Sequence, residues 1–539
     1  MDNVARKDLA GPETMGVWRS QIGVNFAPLA IAALIGLINL ATPTADYFWD
    51  GITFAFQIEK VAAGEAHVSL LFHQNHLLYN ALGYLLYVGA HGVGADIRAL
   101  GLLQALNMIL GAGAAAVFFK CAERITRNSY AALVCSIGLA FCASWWKLAT
   151  DANAYIPAVF FVLLCFNNLS GSKPRWHVAG LLLASAMLVH ELSSLFFVVA
   201  LVSVAVNRAI AHKARFALLM SGAAWSITAA VYYACAALIH GMFKPFEVIE
   251  WAASNPSRSP IVWNPIPGIL TTPNALFESV IGHRFALFYS QRDSTAWITG
   301  AIAIAAIASC LFIGIRKVDF RGLKALYAFS RGGAANLNKP ARRVCAVWLF
   351  TYLVFRCFFE PQDPYHRVFF LPALALALAT LLADYWQIIN APTQRALVGL
   401  RRLGIIAPLA LGLFNLAFFI LPNTKSNANR LVEAARAART VWDENTIVYF
   451  AGHSEVDTTF QYFNPSTKWR KLSVVRVAEL QREAGAASAR GATVWLNSRA
   501  LSLADDEWIR EHPFANQITV DAGYAQVHYV QLEPHTTYQ

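Results

Sequence analysis

Charge is what this chain has least of. Lys, Arg, Asp and Glu make up 14% of its 539 residues and hydrophobic types 57%, whereas a soluble domain carries roughly 25% charged residues. That deficit excludes an ordinary soluble globule and predicts a chain that crosses a membrane many times. Cysteine is scarce as well. All eight (Cys121, Cys135, Cys142, Cys165, Cys235, Cys310, Cys345, Cys357) lie in or beside apolar runs, which leaves no disulfide framework and no zinc-binding spacing. No Walker-type phosphate loop occurs, which excludes an ATP-driven pump. The N-terminus also lacks a short apolar core followed by a small-residue cleavage site. The first apolar run, about Ile22 to Leu40, is long enough for a hydrocarbon core of ~30 Å and is expected to stay as the first helix.

The charge that is present is mostly basic, 43 Lys and Arg against 32 Asp and Glu for a net +11. These cations sit in short clusters between apolar runs, the pattern of cytoplasmic loops rather than of a nucleic-acid surface. Following them along the chain predicts a mostly α, polytopic transmembrane helical bundle of about eleven spans over residues 22–422. Residues 1–21 are cytoplasmic and the first outer loop is 41–96. Leu77–Ala90 is expected to lie at the interface or re-enter, because a full crossing there would break the alternation of basic loops. A Pro-rich loop, Gly241 to Asp293, and a basic segment, Arg316–Arg343, interrupt the later spans. Residues 423–539 read as a small α/β domain on the outer face. Its expected elements are a helix at Val432–Val441, strands at Thr446–Ala451 and Ala492–Asn497, helices at Val477–Ala484 and Asp505–Glu511, and a hairpin pairing Gln517–Val520 with Ala525–Leu532. A multi-pass protein of a bacterial inner membrane is the expected setting.

Ionisable groups beside a bilayer tend to mark function, and they crowd the outer ends of these spans. Asp46 and Asp50, four residues apart, would share one face of a helix. A carboxylate next to an acceptor hydroxyl can take its proton; the bland alternative is a pair of interfacial acids facing water. His73 and His76 could touch a phosphate or sit among headgroups. Glu360, Asp363, His366 and Arg367 lie in one turn between two spans, with Arg356 just before it, and an Arg fork suits a departing phosphate. Arg98 opens an inward helix where an unpaired cation is costly, so a phosphate or carboxylate partner is expected. His190-Glu191 interrupts an apolar run and reads as a turn or a cavity pair. Lys147, Asp151 and Tyr155 form a similar group, with Asp151 a candidate N-cap. No spacing demands a metal, although Asp46, Asp50 and a phosphate could share a divalent ion.

Pro43-Thr44…Phe48-Trp49-Asp50-Gly51, followed by His73…His76-Leu77-Leu78-Tyr79…Gly83, resembles the first outer loop of GT-C fold glycosyltransferases, in particular bacterial relatives of the protein O-mannosyltransferases. The relatives place Ser-Gly-Glu after the aspartate, and His-Pro-Pro-Gly where this chain has His73-Gln74-Asn75-His76. The resemblance implies inverting transfer of a sugar from a polyprenyl-phosphate donor to a glycan, lipid or protein acceptor on the outer face. Asp50 would be the base, with Asp46 second. His73, His76, Arg98, Arg356, Glu360, Asp363, His366 and Arg367 would bind substrate or phosphate, in contact with membrane lipids. A transporter or flippase of a lipid-linked intermediate and a non-catalytic membrane scaffold remain open alternatives.

Overall fold

The computed structural model describes residues 21–254, 263–282, 294–315, 339–389, 398–451, 455–472, 482, 486–487, 489–502, 514–521 and 526–532. The chain opens with α1 (Gln21–Ala41), α2 (Trp49–Ala62), α3 (Tyr79–Gly92), α4 (Ala99–Thr126), α5 (Ser129–Ala140) and α6 (Ala143–Ala149). Next come α7 (Tyr155–Leu169), α8 (Trp176–Val189), α9 (Phe196–Val206), α10 (Lys213–His240), α11 (Pro245–Ala253) and α12 (Pro265–Val280). The helical region closes with α13 (Ser294–Ile315), α14 (Lys339–Phe358), α15 (Leu371–Ile389) and α16 (Val398–Asn415), which continues through a π-turn to Thr424. Helices α11 and α12 fill much of the stretch expected to be a Pro-rich loop. Each starts on a proline, whose fixed φ and missing N–H suit a first turn.

Among the described residues, three helices are long and apolar enough to cross a membrane: Ala99–Thr126, Lys213–His240 and Gly404–Thr424. Helices α5 and α6 add a fourth if the pair, bent by 68°, is one broken span, and six shorter apolar helices accompany them. About eleven spans were expected; among the described residues, length and apolar character single out these three or four. Leu29, Leu37 and Leu40 of α1 and Leu218 and Leu238 of α10 are exposed, as suits surfaces that meet lipid.

The C-terminal part is a five-stranded mixed sheet of β1 (Thr446–Ala451), β2 (Lys468–Leu472), β3 (Thr493–Asn497), β4 (Phe514–Asp521) and β5 (Gln526–Leu532), in the order β2-β1-β3-β5-β4. Strand β1 pairs in parallel with β2 and β3, and β5 pairs antiparallel with β3 and β4. The hairpin, β1, β3 and the helix at Arg430–Ala437 lie where the sequence reading put them. Strand β2 and the helix α18 at Glu455–Phe463, which follows α17 (Arg430–Ala437), were not anticipated. Val477–Ala484 falls almost wholly, and Asp505–Glu511 wholly, outside the described residues. Trp442, Phe460, Trp469 and Tyr529 pack as one aromatic core.

Helix α18 docks on α2. Arg98 clasps the junction. Its Nε bonds both Glu59 carboxylate oxygens (2.8 and 2.9 Å), one Nη donates to the Tyr462 carbonyl at 2.9 Å, and the guanidinium lies 4.1 Å from the centre of the Tyr462 ring.

Candidate active site

Helix α2 starts at Trp49, so Asp50 lies in its first turn while Asp46 lies outside it. The expected carboxylate pair on one helical face does not form. The physical reason is the anchoring of residues 44–46: Ala45 and Asp46 donate their backbone N–H groups to the Asn423 carbonyl at 2.7 and 3.2 Å, and Thr44 donates to Thr150. Lys147 adds a bond from its ammonium to the Asp46 carbonyl. The chain can turn helical only after these anchors. Gly51 then lets α2 approach the backbone at Ala152, since a Cβ at position 51 would stand 2.4 Å from the Ala152 carbonyl oxygen.

Asp151 does not cap α7. Its carboxylate binds Lys147 at 2.6 Å and accepts the N–H groups of Phe48 and Ala152 at 2.8 Å each. Asn153 takes the capping role, its side-chain oxygen accepting from Tyr155 N at 3.0 Å.

Asp50 opens onto a cavity of about 760 Å³, lined also by His73, His76, Tyr155, His190, Glu360 and His366. Burial pushes the Asp50 carboxyl up to about 8, and the negative charges of Glu455, Glu360, Asp363 and Asp151 push the same way. Burial lowers His73, and lowers His76 to about 3, so both imidazoles are neutral at physiological pH.

The far wall is the turn that follows α14. His366 Nδ1 lies 3.2 Å from a Glu360 carboxylate oxygen, 3.0 Å from one of Asp363 and 2.8 Å from Arg356 Nη1. Its Nε2 meets the Tyr155 hydroxyl at 2.7 Å. Glu360 sits at φ +41°, a left-handed backbone that costs any residue with a Cβ some strain. Arg356 holds it there by donating to the Glu360 carbonyl. Glu360, Asp363 and His366 each offer a ligand atom within 4.8 Å of the others, a possible grip on a cation. Arg356 competes for the same His366 nitrogen and already supplies positive charge to the two carboxylates.

Of the residues singled out in the sequence, the cavity gathers Asp50, His73, His76, Tyr155, His190, Glu191, Glu360, Asp363 and His366. Arg356 and Arg367, 1% and 0% exposed, stand behind its wall, and burial with the neighbouring Arg356 charge lowers Arg367 to about 10. Asp46 and Arg98 are not among the lining residues. Arg98 has its expected carboxylate partner in Glu59, and the bonds to Tyr462 turn it toward the C-terminal domain. Glu455 is a group that sequence reading missed. It comes from the C-terminal domain, and nothing in its local sequence signals nearness to Asp50.

No protein-family model matches this sequence, and no curated protein matches it. Its structure is similar to that of ArnT from Cupriavidus metallidurans bound to undecaprenyl phosphate, with a TM-score of 0.52 at 14% identity, covering 94% of this chain and 98% of that one. Weaker likenesses, to the apo state of the same protein (TM-score 0.46, 15% identity, 95% and 98% covered) and to the apo Archaeoglobus fulgidus oligosaccharyltransferase (0.45, 11%, 88% and 69%), carry no weight beside it. With a helical bundle, a C-terminal sheet domain and this likeness along nearly its whole length, the chain has a GT-C-like fold.

Proposed function

We propose that this protein is an integral membrane glycosyltransferase that moves a sugar from a polyprenyl-phosphate-linked donor to an acceptor hydroxyl, with inversion, at the outer face of a bacterial inner membrane. Residues 22–422 form the membrane domain, 1–21 its cytoplasmic N-terminus, and 423–539 the outer domain. The observation that carries the reading is the cavity itself. A carboxyl in the first turn of a helix faces a wall rich in histidine and backed by two arginines. The GT-C-like fold supports it, and so does the bound undecaprenyl phosphate in the similar ArnT structure.

In this mechanism Asp50 takes the proton of the acceptor hydroxyl as that oxygen attacks the anomeric carbon. The bond from that carbon to the phosphate oxygen breaks, and its electron pair stays on the lipid phosphate. A carboxyl held near neutral pH accepts a proton more readily than an ordinary one, and efficiency is best when the pKa lies near the working pH. The positive field of Arg356 and Arg367 stabilises the charge that develops on the phosphate. Binding the phosphate against this wall also orients the anomeric carbon toward Asp50, which removes much of the entropic barrier.

The test is release of polyprenyl phosphate from a polyprenyl-phosphate sugar by purified protein, compared between wild type and Asp50→Asn. Equal release by both removes Asp50 from the mechanism. No release by wild type across a broad panel of donors and acceptors defeats the enzyme reading.

A further inference from the structure

Two buried ring nitrogens of the cavity lining have no hydrogen-bond partner, Nδ1 of His76 and Nε2 of His190, and of these two rings His190 is the one whose other nitrogen is fixed by a backbone bond. Helix α8 ends at Val189, and His190 drops to extended geometry (φ −155°, ψ 125°) before a 3-10 turn begins at Glu191. Its Nδ1 accepts the backbone N–H of Leu192 at 3.1 Å. A ring nitrogen that accepts an N–H carries a lone pair, so the single proton of a neutral imidazole sits on the other nitrogen. In His190 that nitrogen, Nε2, is buried and has no hydrogen-bond partner.

The ring lines the cavity, with centroids 4.6 Å from His76 and 4.7 Å from Tyr155. Native proteins leave few buried donors unpaired, and an unpaired one beside a substrate-sized cavity calls for a ligand atom. His73 repeats the pattern. It too is extended before a 3-10 turn, and its Nδ1 accepts from Asn75 N at 3.3 Å, which leaves its proton on Nε2. Two backbone-fixed rings therefore offer N–H donors and no free lone pair there. Such an edge selects a group that only accepts. Sugar hydroxyls both give and accept hydrogen bonds, whereas the ionised phosphodiester of a lipid-linked sugar carries no O–H and only accepts.

We propose that the Nε2–H of His190 donates to a phosphate oxygen of the lipid-linked substrate and forms, with the Nε2–H of His73, an uncharged phosphate-receiving edge of the cavity. The proposal rests on the glycosyltransferase reading of this cavity. Neutral donors hold the anion without adding a fixed charge, so the spent lipid phosphate can leave after transfer.

The experiment measures binding of a polyprenyl phosphate, of inorganic phosphate and of the matching polyprenol to the purified full-length protein. Wild type is compared with His190→Asn and His190→Gln. Asn keeps an oxygen able to cap Leu192 N but does not reach the Nε2 position; Gln extends an amide N–H toward it. The expected result is binding of both phosphate ligands weakened about tenfold or more in His190→Asn, polyprenol binding unchanged, and His190→Gln within about threefold of wild type. Equal phosphate binding by wild type and His190→Asn overturns the proposal, as does an equal loss of polyprenol, which would mark a packing defect. A response confined to inorganic phosphate overturns the lipid assignment. Wild-type protein that binds no polyprenyl phosphate defeats the donor class itself, and the subsite with it.

Discussion

Asp151 Oδ2 accepts the backbone N–H of Phe48 at 2.8 Å across 103 residues of sequence, and the same oxygen lies 2.6 Å from Lys147 Nζ. Lys147 also donates to the carbonyl of Asp46. A buried ion pair, its side chains 3% and 0% exposed, thus anchors the residues just before the helix of Asp50.

Removing one partner of that pair strands a buried charge, which costs about 3–5 kcal/mol. Lys147→Met should lower the thermal unfolding temperature accordingly. The double variant Lys147→Met/Asp151→Leu should recover much of that stability, since an apolar replacement of a buried pair is often neutral. It should not recover sugar transfer, because Phe48 has lost its carboxylate partner and the Asp46 carbonyl its bond from Lys147. Thermal melts and transfer assays on the same preparations check both halves.

Asp50 makes a prediction with a sign. Its carboxyl is pushed from 3.8 to about 8 in the folded chain. Between those values the folded chain keeps a proton that the unfolded chain has lost, so wild-type stability falls as pH rises through the window and levels off above about 8. Asp50→Asn removes this dependence. It should therefore melt above wild type, by a margin that widens from pH 5 to pH 8, while losing transfer. In wild type, kcat/KM should climb with pH toward about 8, where the free carboxyl ionises.

Gly51→Ala should damage chemistry more than donor binding. The added Cβ meets the Ala152 carbonyl at 2.4 Å, so the start of α2 must shift. Overpacking of this kind costs about 1–3 kcal/mol. A misplaced base lowers the rate steeply for a small displacement. The readout is a fall in kcat with polyprenyl phosphate affinity kept.

Arg98→Ala should loosen the C-terminal domain from α2. The guanidinium chelates Glu59 and stacks on Tyr462 at once, a double task that Lys cannot repeat. Both Arg98→Ala and Arg98→Lys should speed limited proteolysis or hydrogen exchange in Glu455–Phe463. If Arg98→Lys matches wild type, the clasp is a simple ion pair.

The sequence was most legible where one residue type does one job. The charge deficit gave the bundle, and the short apolar alternations gave β1, β3 and the hairpin. Strand β2, Lys468-Trp469-Arg470-Lys471-Leu472, was missed because it is an edge strand with mostly exposed charged side chains, so no buried face marks it. In the site, Asp50 was legible from its place after the first apolar run. The positions of Asp46 and Arg98 were not, because each is fixed by partners hundreds of residues away, Asn423 and Tyr462. Spacing along the chain carries no information about such contacts. His190 was weighed as either a turn residue or a cavity residue, and the same ring both caps the turn and lines the cavity.

The backbone bonds from Ala45 and Asp46 to Asn423 also order events in time. A chain emerging from the ribosome makes its first loop long before its last helix exists. Until Asn423 arrives, residues 45 and 46 lack that acceptor, and the start of the helix bearing Asp50 has nothing to fix it from that side. Truncated or half-inserted chains would thus carry an unfinished site, and competence would come only with the closing residues of the helical region.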